Sequence, residues 1–186
     1  MGTVTIDNSK TLTVASGQTI TASGTSDING TLTIAGTGKY DANGTFDATG
    51  GNVTFSGSGT LELGGTVTSL GTFTPGTSTV SYDGASAQDI VNDLGSKGPY
   101  NNLDLDGGAE KDLTGNTTVN GILSWSANVD METNGHTLTI KQSPTGYNDS
   151  RLIMNPVSPF TVSVAYSSTS TSECFIPVGI DGDVRD

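Results

Sequence analysis

The stretch TLTIAGTGKYDANGTFDATGG (31–51) can be written directly above NVTFSGSGTLELGGTVTSLG (52–71). Leu32 then meets Val53, Tyr40 meets Leu61 and Phe46 meets Val67. Each half holds three short runs in which apolar residues alternate with Thr, Asp, Glu or Lys. Alternation with a period of two places one face of a strand inward and the other outward. Gly, Asn and Ser close each run as turn residues. A single run cannot bury its apolar side alone, so units of about twenty residues must stack on one another. The pattern therefore predicts an all-β chain folded as a right-handed parallel β-helix, a β-solenoid with three short strands per coil of about 20 residues. A β-sandwich also shows short strands at this spacing, but its hairpins would not repeat as a three-strand unit.

Working outward, the pattern covers residues 1–84. It starts with TVTIDNSK, TLTVASGQ and TITASGTS, where the turns are wider, and DING (27–30) reads as an extra corner. Three outer faces follow. One carries Thr31 and Thr33, Asn52 and Thr54, and Thr72 and Thr74, with Thr3 and Thr5 as its extension. A second carries Lys39 and Asp41, Thr60 and Glu62, and Thr79 and Ser81. A third carries Thr45 and Asp47, and Thr66 and Thr68. Inside, Leu32, Val53 and Phe73 form one column; Tyr40, Leu61 and Val80 a second; Phe46 and Val67 a third. Residues 85–141 continue the solenoid, with a projecting loop at 85–101 and one short strand around Ile90; a short helix over 86–94 is the alternative. Residues 142–186 form an irregular β segment, reading as the start of a following domain, in which 160–166 is still a strand.

Composition bounds the function classes. The chain has 186 residues, a formal charge of −12, 26 glycines and one cysteine. An acidic surface repels phosphate, so neither nucleic acid nor anionic membranes are expected partners. No run is long enough for a membrane span. One thiol, Cys174, excludes an internal disulfide and reads as a small buried residue, with an intermolecular bridge as its alternative. Met1-Gly2 precedes a strand already in the pattern and no secretory leader is present, so the chain reads as a fragment of a longer protein.

A catalytic constellation is not expected. His136 is the single histidine, in a turn before a strand, with no nucleophile or orienting acid around it. The two arginines, Arg151 and Arg185, lie far from the regular coils. The paired carboxylates of polysaccharide hydrolases have no counterpart phrase. No cofactor is expected, although Asp104 with Asp106 and Asp181 with Asp183 are calcium candidates, because each pair sets hard oxygen ligands two residues apart beside glycine. The outward threonines Thr31, Thr33, Thr54, Thr72 and Thr74 form a candidate binding surface of the ice-binding β-helix kind, though threonine also suits any exposed strand position. Trp125 alternates with Leu123 as a core residue; with Tyr100 and Tyr147 it would otherwise line a sugar platform.

TFTPGTSTVSYDG (72–84), AQDI (87–90), PYNNLDLDG (99–107), KDLTGNTTVNGILSW (111–125) and NGHTLTI (134–140) resemble coils of large secreted Bacteroidota surface proteins, adhesin-like β-solenoids of the type IX secretion cargo type. CFIPVG (174–179) resembles a Phe-Pro-Val-Gly phrase of those proteins, with Ile176 inserted and the Tyr-Arg-Pro continuation absent. The resemblance spans roughly 72–180. It implies an extracellular, cell-surface location and a structural or adhesive role. The expected partners are the chain itself or neighbouring domains, meeting end to end, and glycans or cell-surface ligands. A carbohydrate-binding module and an ice-binding β-helix are the alternative readings.

Overall fold

The computed structural model describes residues 1–92, 99–148, 150–154, 162–164 and 176–179. Among them there are strands and turns but no helix, and the parallel sheets stack as a β-solenoid of about 7 turns with about 21 residues per turn. The first coil is β1 (Val4–Ile6), β2 (Thr11–Val14) and β3 (Thr19–Ala22). The second is β4 (Ser26–Ile28), β5 (Thr31–Ile34) and β6 (Lys39–Ala42). The third is β7 (Phe46–Asp47), β8 (Asn52–Phe55) and β9 (Thr60–Leu63). The fourth is β10 (Val67–Ser69), β11 (Thr72–Thr74) and β12 (Thr79–Tyr82). Beyond it follow β13 (Gln88–Ile90), β14 (Asn102–Leu105), β15 (Lys111–Leu113), β16 (Thr117–Val119), β17 (Leu123–Trp125), β18 (Met131–Glu132), β19 (Leu138–Ile140), β20 (Ile153–Met154) and β21 (Val162–Val164).

Among the described strands every ladder is parallel, and through the first four coils each strand pairs with its equivalent one coil on. The registers align Leu12, Leu32, Val53 and Phe73 in one inward column, and Ile20, Tyr40, Leu61, Val80, Leu103 and Leu123 in another. Phe46 aligns with Val67. Leu32, Tyr40, Phe46, Val53 and Leu61 have no exposed surface. These are the columns that alternation predicts. A bulge at Thr68 shifts the third face, so that Ser69 rather than Thr68 lies beside Asp47.

Two local expectations are corrected. DING is not a corner: Asp27 and Ile28 belong to β4, which pairs with β1 and β7. Counting that strand moves the first coil by one place, so Thr11 and Thr13, not Thr3 and Thr5, extend the threonine face. The short strand expected around Ile90 is present as residues 88–90, in place of the alternative helix: Gln88 and Ile90 both turn inward and pair with Lys111 and Leu113.

The stack changes character after β12. The sheet β1-β4-β7-β10 ends at β10, and the sheet β2-β5-β8-β11 ends at β11. New sheets, β13-β15-β18-β20 and β16-β19-β21, take over those two sides. Among the described residues only the third sheet, β3-β6-β9-β12-β14-β17, runs through this junction. Aromatic rings carry the core across it. Phe55 meets Phe73 edge-on with centroids 6.0 Å apart, and Phe73 meets Tyr100 at 6.1 Å. The hydroxyls of Tyr82 and Tyr100 lie 2.9 Å apart, and Tyr100 also donates to the Val91 carbonyl at 2.7 Å. Buried phenols require such partners.

Candidate functional site

The outer surface of the continuous sheet holds the densest chemistry. Its registers align Thr21, Asp41, Glu62, Ser81, Asp104 and Ser124 in one outward row. Asp41 and Glu62 are therefore neighbours across a strand pair, where like charges oppose each other. Side chains around them offset this. Lys39 pairs with Glu62 at 2.7 Å, while Thr21 and Asn43 donate to the two oxygens of Asp41 at 3.1 and 2.9 Å. The hydrogen bond to Glu62 holds the Lys39 ammonium above its ordinary pKa.

Asp83 follows Tyr82 on the same side and completes a trio with Asp41 and Glu62, with one oxygen of each within 4.8 Å of the others. A Cβ at Gly64 would lie 3.5 Å from Asp83 Oδ1, in ordinary van der Waals contact. That oxygen is buried without a hydrogen-bond partner. Burial raises the pKa of Asp83 above the usual carboxylate value, and the charges of Glu62 and Asp41 push in the same direction. A second trio, Glu110, Asp112 and Glu132, lies on the β15–β18 surface, where Asp112 and Glu132 share a register. Hard oxygen donors so grouped are of the kind that could hold a divalent cation.

The calcium candidates read from sequence sit elsewhere. Asp104 Oδ2 accepts from the Ser81 hydroxyl at 3.0 Å, and Oδ1 accepts from Ser124 and Ser126 at 2.7 and 2.9 Å. Serine hydroxyls thus occupy this carboxylate. Asp106 Oδ1 accepts from the Gly107 amide at 2.7 Å, as a turn carboxylate does. Asp181, Asp183 and Cys174 lie outside the described residues.

The threonine face is in register: Thr11, Thr31, Asn52 and Thr72 form one row, and Thr13, Thr33, Thr54 and Thr74 the next. Thr31, Thr33 and Thr54 are half-buried by their neighbours, and Thr72 and Thr74 are exposed. None of these positions carries a charge. Trp125 lies in the core at 3 % exposure and Tyr100 is fully buried, so neither faces solvent with the exposed Tyr147. His136 stands in a turn closed by its own amide, which donates to the Thr133 carbonyl at 2.8 Å.

Sequence reasoning missed one buried polar pair at the junction. Gln88 Nε2 donates to the carbonyls of Leu63 and Gly65 at 2.7 and 2.8 Å, while its Oε1 accepts from the Gly84 amide at 2.7 Å. Lys111, with no exposed surface, donates to Gln88 Oε1 at 2.8 Å and to the Gly84 carbonyl at 2.9 Å. These side chains supply hydrogen bonds where the ladder between β10 and β13 is missing. Burial holds the Lys111 ammonium below its ordinary pKa, against the pull of Asp83 and Asp106. The signal was present: Lys111 shares strand parity with Leu113, and Gln88 with Ile90.

No family model, curated protein or solved structure matches this chain.

Proposed function

We propose that the chain is an extracellular structural and adhesive β-solenoid segment of a cell-surface protein, a stiff rod that associates end to end. The observation that carries this reading is the continuous six-stranded sheet along the stack, flanked by filled inward columns. A rod of this kind displays polar faces at fixed spacing, with strands about 4.8 Å apart. Its chemistry is concentrated in positioning and charge. The resemblance of residues 72–180 to secreted surface proteins supports the location. Adhesion would fall to the lateral faces and to the loops near the junction, since binding residues concentrate on loops held by a rigid scaffold.

The test is electron microscopy of concentrated protein beside light scattering of the same sample. Rods joined along their long axes, with a mass that grows with concentration, are the expected result. A single rod-length particle at every concentration overturns end-to-end association. A glycan screen on the same sample addresses the adhesive part, and an absence of binding to any glycan or host-cell surface overturns it.

A further inference from the structure

We propose that Lys111 and Gln88 join covalently in the folded chain, the lysine amine displacing ammonia from the glutamine carboxamide to leave an isopeptide bond between β13 and β15. Such a bond is independent of end-to-end association.

Gln88 and Lys111 are register partners in a parallel strand pair, and both side chains turn inward. Lys111 has no exposed surface and Gln88 is 6 % exposed, so bulk water is kept from both. Lys111 Nζ donates to Gln88 Oε1 at 2.8 Å and to the Gly84 carbonyl at 2.9 Å. The hydrogen bonds fix which way the carboxamide points, because Nε2 donates to two carbonyls, those of Leu63 and Gly65. The carbon to be attacked, Cδ, is therefore one bond away from an atom that the amine already touches. A Cβ at position 84 would sit 2.6 Å from that carbon, so only a glycine leaves space beside it. The amine is bonded to the carbonyl of the same glycine.

The step needs nothing from outside. A bond forms between Nζ and Cδ, and the bond between Cδ and Nε2 breaks. Lys111 enters as an ammonium and the departing nitrogen leaves as ammonium, so protons and charge balance without an oxidant or co-reactant. As the carbonyl carbon becomes tetrahedral, negative charge gathers on Oε1. The Gly84 amide already donates to that oxygen at 2.7 Å, in the manner of an oxyanion donor. Holding amine and carbonyl together replaces a chance encounter with an oriented one, an advantage that reaches roughly 10⁵–10⁸ M in effective molarity. The equilibrium favours the bond, because a buried ammonium is costly and the product amide is neutral. The released ammonium is lost to water. One N–H of the new amide remains for the carbonyls of Leu63 and Gly65, which before had two. Amide exchange is slow even when oriented, since the amine must first give up a proton. The freshly folded chain thus holds the free Lys111 ammonium, and the bond accumulates with time.

The test is the intact mass of the whole chain, fresh and after prolonged incubation, followed by protease digestion. The folded parent is compared with the parent in guanidinium chloride and with folded Lys111→Arg. Arginine keeps a charge and donors at this place but stays protonated, so it does not attack. The expected result is a folded parent that becomes one ammonia lighter. Its digest should contain a branched peptide joining the stretch around Gln88 to the stretch around Lys111, absent from the denatured chain and from Lys111→Arg. A folded parent that keeps its full mass overturns the proposal. So does a loss of ammonia found only in a linear peptide, as ring closure at an Asn-Gly step such as Asn43-Gly44 would give. A branched peptide that forms equally in the denatured chain overturns the role of the folded pair. If Lys111→Arg does not fold, the branched peptide of the folded parent against the denatured parent decides alone.

Discussion

Lys111 and Asp83 are opposite cases of one electrostatic problem, a charge that the stack partly removes from water. The folded pKa of Lys111 lies below that of the unfolded chain, so the unfolded chain binds more protons in the window just below pH 10.5. Stability therefore rises with pH through that window. Lys111→Met is expected to flatten this slope in urea titrations at several alkaline pH values; an unchanged slope would contradict the assignment. For Asp83 the folded pKa lies above 3.8, so its contribution is present below that value and is lost as pH rises through the folded pKa. Asp83→Asn is expected to be more stable than the parent at neutral pH, and the gain should shrink in acid when denaturation midpoints are compared. In the core, Leu61 has no exposed surface, and Leu61→Ala should cost about 2–5 kcal/mol by chemical denaturation. At Gly51 an added Cβ would sit 2.0 Å from the Ile28 carbonyl oxygen, a backbone atom that cannot give way easily. Gly51→Ala should therefore destabilise by roughly 1–3 kcal/mol, as overpacking does.

At the scale of elements, alternation made the regular coils legible. Thr-x-Thr runs with apolar partners fix which residues point inward, and the turn glycines fix where each strand stops. That was enough to align Leu32 with Val53 and Tyr40 with Leu61. It failed at DING because the inward side of β4 carries the polar Ser26 beside Ile28, so alternation is masked there. The candidate site was less legible. Asp41, Glu62 and Asp83 lie in three successive coils and meet only once the register is known, whereas Asp104 and Asp106 stand close in sequence and engage separate partners. Gln88 and Lys111 read as surface residues by type, although their strand parity places them inside. The structure gives them a definite task, since Gln88 makes the hydrogen bonds of a missing ladder. Gln88→Leu would leave the Gly84 amide and the Leu63 and Gly65 carbonyls without this partner. The expected cost is about 1–3 kcal/mol. Faster hydrogen exchange around β12 and β13, with β5 and β8 unchanged, would locate the effect at the junction.

For the whole molecule, the coil stack turns a linear repeat into a rod whose inter-strand hydrogen bonds run along its long axis. Most coils are joined on three sides. At the junction after β12, the connection among the described residues includes one ladder, a glutamine, a buried lysine, the side-chain bonds of Asp104, Asn101 and Asn102, and a few aromatic rings. If the rod is held at one end and pulled at the other, every hydrogen-bonded seam lies in series and the tension in each is the same. Among the described residues that seam has one ladder, which bears on a single side what its neighbours share among three. The junction is then a mechanical fuse: it parts before the regular coils and leaves the four coils before it wound while the load is released.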